Sequence, residues 1–120
     1  MEPLASGAPD LAAAVERLAD RLRSLSDVRL AGPGGPRASR ADAAHALAQQ
    51  LADAAALIEG GPSRMVPRLH DLAVGDQVAV TGHDLVAAAA AQQQAPRVRV
   101  DLAGVLERAV AACGTLAEVL

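Results

Sequence analysis

Apolar residues recur along this chain at intervals of four and three. Leu11, Val15, Leu18, Leu22 and Leu25 follow that rhythm, which lays one stripe along one face of a helix. The spacing predicts a first helix over about 9–30, opened by Ser6 or Asp10. Its other face carries Glu16, Arg17, Asp20, Arg21, Arg23 and Asp27, where acid and base three apart give small local support. A second seam with the same spacing closes the chain: Leu102, Leu106, Ala109, Cys113, Leu116 and Leu120. Asp101, just after Pro96, is the natural cap for that helix.

Two further helices are expected between these seams. Ala31-Gly32-Pro33-Gly34-Gly35-Pro36 cannot continue a helix, so 31–38 reads as a loop. No Gly-Lys-Ser/Thr follows it, so it is not a phosphate cradle. Ser39-Arg40-Ala41-Asp42 resembles a capping box and opens a helix that runs to Glu59, before the stop Gly60-Gly61-Pro62. Ala44, Leu47, Leu51, Ala54 and Ile58 form its stripe. From Pro67 to about Gln93 a helix is expected, whole or in two collinear pieces broken near Gly75. The fold class that follows is all-α, one domain over 1–120, built as an antiparallel four-helix bundle. The alternative is α+β, with a short hairpin joining 77–81 to 97–100.

Composition narrows the picture. The chain has no Phe, Tyr, Trp or Lys, and alanine fills thirty of its 120 positions. Its core must therefore be Leu, Val and Ala. A buried alanine methyl is worth about 0.8 kcal/mol, against roughly 1.5–3 kcal/mol for a Leu or Val, so stability per helix is modest and close packing matters more. The bias toward Ala, Arg, Gly and Pro is that of a GC-rich, bacterial genome. The net charge is −3 and the eleven basic residues, all Arg, are scattered. That is a poor footprint for nucleic acid, and the absence of aromatic rings removes base stacking.

No segment reaches about 18 consecutive apolar residues, so no membrane span is expected. Met1-Glu2-Pro3-Leu4 has neither the basic start nor the apolar run of a leader, and a single cysteine fits a reducing compartment. The expected location is the cytoplasm.

Few residues carry candidate chemistry. His70-Asp71 and His83-Asp84 are His-Asp pairs, but thirteen residues on one straight helix turn the two histidines about 140° apart, so no shared metal is expected. Asp76 and His83, seven apart, share a face and are a candidate polar pair at a helix contact. Cys113 lies within the last seam as a small core residue. Ala44-His45-Ala46-Leu47-Ala48 resembles the His-x-Leu core of histidine-containing phosphotransfer domains, which are four-helix bundles of about this length. Their Lys-Gly is replaced here by Ala48-Gln49. That resemblance implies His45 as phosphoacceptor.

The leading expectation is a non-enzymatic interaction or scaffold module without cofactor or metal. It acts by self-association, as a homodimer, or by binding another helical protein, through Leu102, Leu106, Cys113, Leu116 and Leu120. The phosphotransfer protein using His45 and a DNA-associated regulator are the alternatives.

Overall fold

A computed structural model describes residues 7–120; Ser6 and the opening Met1 to Leu4 lie outside the described residues. The first helix, α1, spans Ala8–Arg23. Pro9 sits in its first turn, and the Asp10 carboxylate accepts the Gly7 N–H at 3.2 Å. It stops well before Leu30. The Ser24 hydroxyl donates to Arg21 O at 2.6 Å, and Ser26 Oγ accepts the Arg29 N–H at 3.2 Å. Two serines thus divert the backbone locally, and Ser26 caps a new short helix, α2, Asp27–Ala31. Leu25 and Leu30 stay buried across the break.

The expected loop at 31–38 is instead a tight antiparallel hairpin of β1, Pro33–Gly35, and β2, Ala38–Ser39. Pro33 faces Ser39 and Gly35 faces Ala38, with an irregularity between. A Cβ at Gly34 would sit 2.5 Å from Ser39 O and 2.6 Å from Arg40 Cα, so only glycine lets the strands close. Neither stretch of the alternative hairpin is strand: 77–81 is helical and 97–100 carries no strand.

Helix α3, Arg40–Glu59, begins on the capping box read from the sequence. Ser39 Oγ accepts the Asp42 N–H at 3.0 Å, and Asp42 accepts the Ser39 N–H at 3.4 Å. It ends at Gly60, which turns left-handed at φ 75°. The next helix starts later than Pro67. Residues 62–70 are extended and irregular, a 3₁₀ turn covers Asp71–Ala73, and α4 runs unbroken over Val74–Gln94. Pro62 and Pro67 hold the residues before them out of the helical region.

Gly75 and Gly82 do not break α4, because they are where α1 crosses it closely. A Cβ at Gly82 would meet Val15 Cγ1 at 2.5 Å, and one at Gly75 would meet Arg23 Cγ at 2.9 Å. The last helix, α5, Leu102–Ala117, starts where Asp101 accepts the Gly104 N–H at 3.1 Å.

Among the described residues the helices enclose one core of Leu, Val, Ala, Ile58 and Cys113. Helix α4 packs between α1 and α3, and α5 lies against the same two helices. The directions are not all antiparallel. Arg23 meets Asp76 while Glu16 meets His83, so α1 and α4 run oppositely. The start of α3 lies near the start of α4, where Arg68 joins Asp42 to Asp71. Their far ends meet where Ile58 and Gln92 line one groove, so α3 and α4 run the same way.

That departure from the expected topology has a simple mechanical basis. A twenty-residue α3 rises about 30 Å, and about ten extended residues span the same distance, so 60–70 returns the chain to its starting level. The segment 62–70 is called the strap below.

Candidate functional site

The strap is held chiefly by side chains. On α3, Gln49 grips it twice: Oε1 accepts the Val66 N–H at 2.8 Å and Nε2 donates to Arg64 O at 2.9 Å. One turn earlier, His45 Nε2 lies 2.8 Å from Val66 O, which fixes that nitrogen as the N–H donor. Asp53 accepts hydrogen bonds from Ser63 and from Gln49, and these hold its carboxyl below the usual carboxylate range, Ser63 first. From α4, Gln77 Nε2 donates to Pro67 O at 2.8 Å.

At the lower end Arg68 bonds Asp42 at 2.9 Å and Asp71 at 3.1 Å. The hydrogen bond from Arg68 is the chief cause of a depressed Asp42 carboxyl, followed by those of Ser39. The same bond raises Arg68 above its ordinary range.

Tied this way, the strap walls an open groove of about 450 Å³. Met65, Val66, Pro67 and Leu69 line it from the strap, Val80 and Thr81 from α4, and Ala52 from α3. Met65 is 88% exposed, Val80 59% and Leu69 49%, whereas the leucines of the helical stripes are buried, apart from the half-buried Leu102. Arg64 brings a positive charge to the strap wall, and Asp76 and Asp84 bring negative charges to the α4 wall. Asp76 is taken by Arg23 at 2.9 Å; among the described residues, Arg64 and Asp84 form no ion pair. Gln77 Oε1 is buried without a hydrogen-bond partner among the described residues. The strap residue that its amide faces is Pro67, which has no N–H to offer.

Of the residues singled out from the sequence, Asp76 lines the groove and the others lie elsewhere. Leu106, Cys113, Leu116 and Leu120 are buried and Leu102 is half-buried, all within or against this chain's own core. The closing seam is thus internal, covered by α1 and α3. The end of that seam is also clasped: Arg40 Nε donates to Val119 O at 2.7 Å and Arg21 Nη2 to Leu120 O at 2.9 Å. Burial pushes the Cys113 thiol up to about 11, which keeps it protonated and unreactive near neutral pH.

Asp76 and His83 share the face of α4 that meets α1 without pairing with each other. Asp76 binds Arg23, and His83 Nε2 lies 2.7 Å from Glu16 Oε2. Their common face follows from heptad spacing, but each has a nearer partner on α1. His45 flanks the strap, with Nε2 engaged.

The groove residues were missed because their neighbourhood depends on how the strap lies. The available signals were a methionine in an otherwise methionine-free interior and two prolines five apart. Among the described residues no group of three or more His, Cys, Asp or Glu converges as a metal site, and no helix is long and apolar enough to cross a membrane. Comparison with known proteins finds no matching family model, no matching curated protein and no matching solved structure.

Proposed function

We propose that this chain is a non-enzymatic helical interaction module, a four-helix bundle of a GC-rich bacterium that acts by association through the strap groove. One observation carries the reading. Of the six large apolar side chains exposed among the described residues, Met65, Val80 and Leu69 stand around one groove, while Val28, Leu57 and Leu72 lie outside it and most stripe positions of α1, α3 and α5 are buried. Large apolar side chains gathered at one open groove mark binding surfaces, and a flexible Met at its lip adapts to whatever fills it. The lone buried thiol is compatible with cytoplasmic work. A phosphotransfer role for His45 is less well supported, since its Nε2 is committed to Val66 O.

The test is sedimentation velocity on protein labelled at its amino terminus, the chain having no lysine to compete for the dye. The purified wild type is examined from 10 µM to 1 mM, and at 10 µM in extract of its native cells. It sediments as a larger species in at least one setting, and Met65→Ser/Val80→Ser returns it to monomer in both with its helical circular dichroism intact. A monomeric wild type in both settings ends the reading.

A further inference from the structure

We infer that the strap groove is filled by a second copy of this chain, seated face to face across a two-fold axis. The inference rests on the association reading above and names its partner. A two-fold contact uses one patch on both copies, so that patch must carry both halves of every interaction. This one does. Met65 stands clear of the strap beside a groove it also lines, which provides both a projection and a recess.

The charges are divided in the same manner. Arg64 lies on the strap wall and Asp84 on the α4 wall, and among the described residues neither makes an ion pair. A two-fold axis running along the groove sets the strap wall of one copy against the α4 wall of the other, so guanidinium meets carboxylate twice. A uniformly basic partner is opposed by Arg64 and a uniformly acidic one by Asp84. Complementary charge of this kind selects partners, and the face it selects is a copy of itself. Twelve residues line the groove, fewer than the roughly 20–30 per side of a standard interface, so the dimer belongs with the weak, transient class.

Sedimentation equilibrium of four samples tests this: wild type, Arg64→Asp, Asp84→Arg, and the two variants mixed in equal amounts. Both side chains are exposed or at the surface, and circular dichroism verifies that each variant folds. Each swap alone sets like charge against like charge twice per dimer and raises the Kd at least tenfold. The mixture restores both pairs in a heterodimer and returns the Kd to within threefold of wild type. Met65→Ser weakens the wild-type dimer without altering the recovery pattern. A wild type that is monomeric at 1 mM overturns the inference, as does a dimer that either swap moves less than threefold, or a mixture that fails to recover. A larger species found only in cell extract leaves the association reading standing and removes this one.

Discussion

Gly82 and Gly114 both lie inside long helices, and replacing each by alanine shifts stability in opposite directions. Alanine gains about 1 kcal/mol over glycine in a helix interior from propensity alone. At Gly114 nothing lies within 4 Å of the added carbon, so that gain is retained and Gly114→Ala stabilises by about 0.5–1 kcal/mol. At Gly82 the carbon falls 2.5 Å and 2.6 Å from the two methyls of Val15, and both residues are buried. Val15 is β-branched on a helix and its single favoured rotamer leaves it nowhere to turn. Overpacking of this kind costs about 3 kcal/mol at the upper end, which outweighs the propensity gain and leaves Gly82→Ala about 2 kcal/mol less stable.

Urea unfolding followed by circular dichroism reads both. With a slope of about 1.5 kcal/mol/M, the midpoint falls by about 1.3 M for Gly82→Ala and rises by about 0.5 M for Gly114→Ala. In a Val15→Ala background both methyl clashes are gone and only a 3.1 Å approach to the Cβ of residue 15 remains, so Gly82→Ala becomes close to neutral, a coupling of about 2 kcal/mol. A Gly82→Ala midpoint at or above wild type would refute the close crossing of α1 and α4.

Three further outcomes are expected. Gln49→Ala removes both grips on Arg64 and Val66, so exchange of the Val66 amide speeds by about tenfold, one hydrogen bond's worth or slightly more, while exchange in α4 stays unchanged. Arg40→Ala removes the clasp on Val119 O and a 2.9 Å bond to Arg29 O; a loss of about 1–3 kcal/mol appears in thermal unfolding, with earlier fraying of 117–120. The Cys113 thiol, shifted by burial from 9.0 to about 11, resists a disulfide reagent at pH 8 in the folded protein and reacts once urea unfolds it. Because the folded value is the higher one for an acid, its contribution to stability is complete below about pH 9 and declines as pH rises from 9 toward 11.

The elements that could be read from the sequence are those whose ends are set by local chemistry. Ser39 with Asp42, Gly60 and Asp101 fix their helix termini within a few residues of chain. The rest is settled by contacts between distant residues. Ser24 and Ser26 divide what the leucine rhythm joins, because a hydroxyl competes for backbone partners that apolar spacing does not register. Gly75 and Gly82 resemble breaks until α1 is laid against them. The stretch 97–100, whose alternating Arg and Val resemble a strand, is irregular with a bend at Val98 and finds its partner in a side chain: Gln92 accepts the Arg97 N–H and donates to Val98 O. The groove was invisible for the same reason, since its walls are brought together by the strap's return path.

That return path also separates connection from cohesion. The strap offers trypsin Arg64 and Arg68 on exposed, irregular chain, yet α4 stays lodged between α1 and α3, and α5 lies across both. A single cut there leaves two pieces that remain interlocked through their shared apolar contacts. Such halves, made separately, are natural material for reassembly, and the joint between them falls at the edge of the groove.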